Sequence, residues 1–244
     1  MIPIRLNWQR YTDGFQLQEL RQSSGTKVKI AEPRSKRTDA LLHEAINLED
    51  PIVLRLVNCE TDADYIKFLH RFGTLEEKDV STSDEITGDI EFRYGSFGDP
   101  RSGGYLHPAA DASNKSPITL NMLRDRALSL HGLIKETLWT GRVDTGSKVR
   151  FLNELMDKAK VVVRPCFVHT ADKMQFVLQA DTLFAFMVME ITAAHEAEAV
   201  ATSCERCRKV FLTGPLTGRR SHAKYCSDRC RVAAMRTRNA AKGK

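Results

Sequence analysis

Residues 204–230 read CERCRKVFLTGPLTGRRSHAKYCSDRC, and the spacing of the four cysteines sets how the C-terminal part of the chain folds. Two residues separate Cys204 from Cys207, three separate Cys226 from Cys230, and eighteen lie between the pairs. In a reducing compartment, close-spaced cysteine pairs mark a metal site rather than a disulfide framework. Thiolate is a soft ligand, and four of them suit tetrahedral zinc. A Cys-x2-Cys turn presents two sulfurs about a tetrahedral edge apart, and a pair at i and i+4 presents two from the first turn of a helix. One structural Zn2+ on Cys204, Cys207, Cys226 and Cys230 is the expectation. The shell is closed, whereas catalytic zinc keeps an open fourth position. Iron–sulfur proteins space their four cysteines differently. His222, between the pairs, could replace one sulfur, but nothing requires it, and it reads as an exposed loop or phosphate-contacting residue.

Outward from the cysteines, Arg208 to Leu212 is expected to form a short strand, with turns at Gly214-Pro215 and Thr217-Gly218 and a returning strand at Lys224-Tyr225. Ser227 offers an N-cap, and Asp228 to Ala241 contains no Gly or Pro, so it reads as a helix. Knuckle, hairpin and helix together make a treble-clef-like finger. At about 100° per residue, Val232 and Met235 form a narrow apolar seam expected to face the hairpin. Arg231, Arg238 and Lys242 flank the seam on one side, Arg229 and Arg236 on the other. A face of Ala233, Ala234, Thr237, Ala240 and Ala241 is left to approach a nucleic-acid groove. With Arg219, Arg220 and Lys224 in the adjoining loop, these cations form a candidate DNA-binding set, since the planar fork of arginine binds phosphate bidentately.

Charge distribution supports that set. The chain has 244 residues and a net charge of +6. Residues 201–244 hold twelve Lys or Arg and two acids, a balance of +10, so residues 1–200 balance at −4. A mildly acidic body with a concentrated basic end is the pattern of a nucleic-acid-binding appendage.

The segment Cys204-Glu-Arg-Cys207, then Arg219-Arg220, Tyr225-Cys226-Ser227 and Cys230-Arg231 with Arg236 and Arg238, resembles the CGNR-type zinc finger. That finger closes bacterial proteins whose N-terminal part is often an ABATE-like domain, and which are described as transcriptional regulators. The resemblance covers about forty residues. It implies the four cysteine ligands, a DNA partner and a role in transcription regulation. It departs at the eponymous tetrapeptide, because the last cysteine is followed by Arg231-Val232-Ala233 rather than Gly-Asn-Arg.

The body, 42% hydrophobic and 28% charged over the whole chain, excludes a disordered or fibrous protein. No stretch reaches the ~18 apolar residues of a membrane helix, and the N-terminus lacks a secretory pattern, so a cytoplasmic protein is expected. Ser116-Pro117 is read as opening a helix to about Trp139, and a second helix is expected after Gly146-Ser147. Residues 161–168 and 174–178 read as a β-hairpin, and Asp181 as the cap of an apolar helix from Thr182 to about Glu196. Leu41-Leu42 with Ile46, Ile52 to Val57, and Thr61 to Phe72 closed by Gly73 suggest two or three more elements. Residues 74–116, dense in Gly, Ser, Asp and Thr, read as a long polar loop. Cys59 and Cys166 read as inert buried thiols.

No phosphate loop, nucleophile elbow or His-Glu-x-x-His motif is present, so the chain is not expected to be an enzyme. The resulting expectation is an α+β protein. Residues 1–200 form a mainly α-helical sensor-like domain with a small β-hairpin, for an unassigned effector or partner, and 201–244 form the basic zinc finger. DNA binding as a homodimer is the functional expectation, and docking of an acidic protein partner in nucleic-acid metabolism is the alternative.

Overall fold

Alternation of apolar and polar side chains organises the first strand. In β1 (Ile4–Tyr11), Ile4, Leu6 and Trp8 point inward and are buried, as a period of two requires. β1 pairs antiparallel with β4 (Thr38–Ala45) from Ile4↔Ala45 to Tyr11↔Thr38. Between them, β2 (Phe15–Arg21) pairs with β3 (Lys27–Pro33) from Phe15↔Pro33 to Arg21↔Lys27. The four strands form one long hairpin, broken where the chain turns at Thr12–Gly14. There Thr12 N–H donates to the Arg37 carbonyl at 3.0 Å, and Arg34 N–H to the Gly14 carbonyl at 3.0 Å. The computed structural model describes residues 2–21, 27–75, 118–139, 149–150, 153–154, 156, 163–170 and 173–242.

Nine strands and five helices form among the described residues. β6 (Val163–Thr170) and β7 (Lys173–Ala180) make a second hairpin, and β7 runs parallel to β1 with Ile4 beside Leu178. The result is a four-stranded sheet of order β4-β1-β7-β6 and a second sheet β2-β3-β5, where β5 is Ile118–Thr119. The expectation of a mainly helical N-terminal region is therefore wrong: that region is strand-rich, with mixed α and β structure. Stretches such as IRLNWQRY and FQLQELR are too polar to stand out as apolar runs. A two-residue period makes the first a strand, whereas the second, in which only Phe15 is buried among the described side chains, is held as one by its pairing with β3.

Helices cover the sheets. α1 (Ile52–Val57) and α2 (Asp62–Phe72) follow the long hairpin. Thr61 caps α2 in a capping box with Asp64, and burying Tyr65, Phe68, Leu69 and Phe72 fixes its inner face. Gly73 ends it at φ 85°, with its N–H on the Leu69 carbonyl at 2.8 Å. A β-carbon there would stand 2.6 Å from the Gln9 carbonyl oxygen, so only glycine lets α2 close against β1. α3 (Leu120–Leu138) is capped by Thr119, whose side chain accepts from Met122 N–H. Ser116-Pro117, Gly141 and Gly146-Ser147 lie outside the described residues, as does nearly all of the 74–116 loop. Its first two residues are described and anchored: Trp8 Nε1 donates to the Thr74 carbonyl at 2.9 Å, and Phe184 N–H to that of Leu75 at 2.9 Å.

α4 (Leu183–Glu196) is the central element, packed on β1, α1 and α3 with ten of its fourteen residues buried. A helix apolar all round must be enclosed. Its cap is Thr182, which accepts from Ala185 N–H at 3.0 Å, and not Asp181. Asp181 instead takes the Arg164 guanidinium at 3.0 Å.

The C-terminal segment is built onto this core. β8 (Val200–Ser203) pairs antiparallel with β9 (Val210–Thr213), from Val200↔Thr213 to Ser203↔Val210. The partner of the 208–212 strand was expected at Lys224-Tyr225, and it precedes the first cysteine instead. All four residues of β9 are buried, so it needs cover from strand and body together, which the 224–225 segment, exposed at Lys224 and only half-buried at Tyr225, does not provide. Ala201, Val210 and Leu212 belong to the same hydrophobic cluster as Leu6, Leu56 and Phe186. Among the described residues no helix is long and apolar enough to cross a membrane.

Candidate metal centre

The Cys204–Cys207 knuckle is the turn of the β8–β9 hairpin. Cys204 N–H donates to the Lys209 carbonyl and Arg208 N–H to the Cys204 carbonyl, both at 2.9 Å, and Arg208 sits in the left-handed region at φ 64°. A loop through Leu216 and Arg219 then leads to α5 (Asp228–Lys242). Ser227 caps α5 as expected, its Oγ accepting from Cys230 N–H at 3.3 Å. Cys226 therefore lies just before the helix and Cys230 in its first turn.

The four sulfurs converge within 4.8 Å of one another. Cys207 Sγ lies 3.5 Å from Cys226 Sγ, and Cys226 Sγ 3.6 Å from Cys230 Sγ. Sulfurs bound tetrahedrally at about 2.3 Å stand about 3.8 Å apart, so the cluster matches the cage of one four-coordinate ion. Its electrostatics agree with that role. Burial works against the Cys204 thiolate, yet the N–H groups of Cys207, Cys226 and Arg206 converge on its sulfur and bring the thiol down to about 6. Burial, then the neighbouring thiols of Cys207, Cys230 and Cys204, push Cys226 up to about 12, and burial also raises Cys207. One thiolate forms readily here, and four ionise together only around a cation. A metal ion can be held, and Cys204, Cys207, Cys226 and Cys230 are its ligand set. Cys59 and Cys166 stand apart from the cluster, their thiols raised by burial, Cys59 to about 11.

The cations expected to meet DNA fall into two groups. Arg219 is half-buried and anchors the site: it donates to the Glu49 carbonyl at 3.2 Å and the Cys226 carbonyl at 3.1 Å, with its guanidinium 5.9 Å from the Phe211 ring centroid. Lys224 pairs with Glu205 at 3.3 Å and Arg231 with Asp228 at 3.0 Å, both exposed. Arg238 donates to the Tyr225 hydroxyl at 3.5 Å. Arg220, Arg229 and Arg236 are exposed and make no ion pair among the described residues. Lys242 is the last residue of α5.

The helix is turned the other way round from expectation. Cys230, Ala233 and Ala234 are half-buried, and Ala234 and Thr237 line a shallow cleft with Glu205, Arg206 and Tyr225. Val232 and Met235, expected to pack on the hairpin, are 39% and 47% exposed. Cys230 decides this, because the helix face that carries a ligand must turn toward the other sulfurs. Sequence reasoning also passed over Arg206, Arg208 and Lys209, three exposed cations on the knuckle. Their position between and beside the first two ligands was the available signal.

The hairpin is tied to the body through Asn58, the C-cap residue of α1. Its side chain accepts from Val210 N–H at 2.7 Å and donates to the carbonyls of Val210 at 2.8 Å and Leu54 at 2.7 Å. Leu48 N–H donates to the Leu216 carbonyl at 2.8 Å beside it. α1 is held in turn by Glu190 of α4, a fully buried carboxyl that accepts from Ile52 N–H at 2.9 Å and Val53 N–H at 2.8 Å. Comparison with protein-family models, curated proteins and solved structures returns no match.

Proposed function

We propose that the protein belongs to the class of zinc-organised DNA-binding proteins, and that it acts as a bacterial transcriptional regulator. One observation carries the reading: Cys230, in the first turn of α5, is one of four converging sulfurs, so the centre that closes the ligand set also fixes the base of an arginine-bearing helix. Zinc is the assigned ion because four thiolates in tetrahedral spacing are its preferred structural set. Bound there, it supplies folding energy on the order of 10 kcal/mol and leaves no open coordination position.

α5 carries Arg229, Arg231, Arg236, Arg238 and Lys242 against the single acid Asp228. Such a helix gains affinity from phosphate neutralisation and the release of counterions. Residues 1–200 serve as the sensing part. Their hold on the hairpin through Asn58 and Glu49 gives an event in the body a mechanical route to the DNA-binding end. A homodimer would supply two half-sites, since one small helix spans few base pairs.

The test is a salt-titrated fluorescence-anisotropy assay of zinc-loaded protein on random duplex DNA, with a Cys226→Ser/Cys230→Ser control. Binding at roughly 1–100 μM that falls steeply with salt, and is lost in the control, supports the reading. Absence of duplex binding at low salt refutes it.

A further inference from the structure

Of the described α5 side chains only Cys230, Ala233 and Ala234 are partly covered; the rest are exposed, and one stripe of them runs between the two arginine rows. Val232, Met235 and Asn239 stand at i, i+3 and i+7, and all three are exposed. At about 100° per residue they fall within a band roughly 60° wide, opposite Cys230, Ala233 and Thr237. Arg229 and Arg236 lie some 70–90° to one side of that band and Arg231 and Arg238 as far to the other. The metal ligand sets this orientation, so the stripe is presented by a helix whose base cannot rotate.

We propose that Val232, Met235 and Asn239 read base edges in the major groove of duplex DNA, and that they select A·T pairs; this rests on the DNA-binding reading above. The stripe rises about 10 Å along the helix, close to three base pairs. A helix about 10–12 Å across fills the major groove, which is about 12 Å wide, and brings both arginine rows to the two phosphate walls. The Val232 and Met235 side chains match the thymine methyl group. The Asn239 amide matches the paired acceptor and donor of adenine. The Arg231–Asp228 pair is exposed and weak, so exchanging Asp228 for a phosphate costs little. A protein groove would accept the two apolar side chains, but it would also have to neutralise cations on both sides of them. Single-stranded nucleic acid needs stacking platforms, and the stripe has no aromatic residue.

The test uses the full zinc-loaded chain, with selection from a randomised duplex library followed by competition anisotropy on selected and random duplexes. The variants are Asn239→Ala and Val232→Ala/Met235→Ala, at exposed positions, with Arg229→Ala/Arg236→Ala as the phosphate control. The wild type should select a core of about three base pairs containing A·T. Asn239→Ala should lose roughly tenfold in discrimination at one position and keep its random-duplex affinity within about twofold. The arginine control should lose affinity for every duplex and flatten its salt dependence. Duplex binding with no sequence preference, or with a preference that both stripe variants keep, overturns the inference and leaves the DNA reading standing. No duplex binding at low salt overturns both. Self-association of the free protein that Val232→Ala/Met235→Ala abolishes would overturn it in favour of a second copy as the occupant.

Discussion

Replacing Asn58 by alanine isolates the joint between the body and the metal-bearing hairpin. The Asn58 side chain satisfies both backbone groups of Val210, a residue only 7% exposed, and also caps the Leu54 carbonyl. Alanine leaves a buried N–H and a buried C=O without partners, each costing roughly 1–3 kcal/mol, with partial relief as water enters. A loss of about 3 kcal/mol follows, and at roughly 2–4 °C per kcal/mol for a chain of this size, Tm falls by about 6–12 °C. Asn58→Asp keeps an acceptor for Val210 N–H but sets a carboxylate oxygen against the Val210 and Leu54 carbonyls at the C-terminal end of α1, so its midpoint should fall at least as far as that of the alanine variant. The assay is urea unfolding followed by tryptophan fluorescence and circular dichroism, on zinc-loaded protein. Cys207 is three residues from Val210, so chelator competition should also show weaker metal retention in the alanine variant. A urea midpoint equal to that of the wild type in Asn58→Ala would refute the claim that this side chain holds the hairpin on the body.

Other expectations are equally open to measurement. Burial pushes Glu190 up to about 8 against the opposing pull of Val53 and Ile52 N–H, and Asp50 adds to the rise. Between its ordinary value of 4.5 and about 8 the folded chain therefore holds the extra proton, and stability falls as pH rises, by about 1 kcal/mol per unit. His43, wedged between Phe72 and Phe186, is pushed down to about 4 by burial and by Arg10, so its effect opposes that of Glu190 below about 6.5. Cys204, brought down to about 6 from an ordinary 9.0, opposes the Glu190 slope from about pH 6 upward. The Glu190 contribution is therefore read as a difference: from pH 6.5 to 8 the wild type should lose about 1 kcal/mol per unit relative to Glu190→Gln; identical slopes would assign the titration elsewhere. Strong chelators should strip one zinc per chain, counted by mass spectrometry or elemental analysis, and lower Tm; a metal-free preparation with the same Tm would contradict a structural ion. Arg219→Ala should reduce stability and metal retention, whereas Arg229→Ala/Arg236→Ala should leave Tm within about 1 °C, as exposed substitutions usually do; the reverse pattern would undo the division of cations drawn above. Thr61→Ala should cost about 1 kcal/mol through the lost cap of α2, read as a lower urea midpoint.

Local signals in the chain carried some elements intact. The ligand set was legible because metal chemistry acts at short spacing: two residues between one pair and three between the other put sulfurs together in a turn and a helical turn, whatever surrounds them. The span of α2 up to its closing Gly73, the β6–β7 hairpin and the α5 cap at Ser227 were legible for the same reason, each being set by a few neighbouring residues. The first three strands went unseen, and Leu41-Leu42 marked an element without showing that it is the strand β4, because the notable apolar runs lay elsewhere, while Ile4, Leu6 and Trp8 alternate with Arg5, Asn7 and Gln9.

What the sequence alone determined is the chemistry at short range: four thiols poised for one ion, a basic C-terminal helix, and the absence of a long apolar span. What only the tertiary structure decided is how those parts face. β9 took β8 as its partner because its four buried residues needed the body's core. Arg219 became an anchor because Glu49, 170 residues earlier, came within 3.2 Å. α5 turned Val232 and Met235 to solvent because Cys230 had to face the other sulfurs. Helical periodicity identifies which residues share a face, but only a contact from outside the helix selects the face that turns inward.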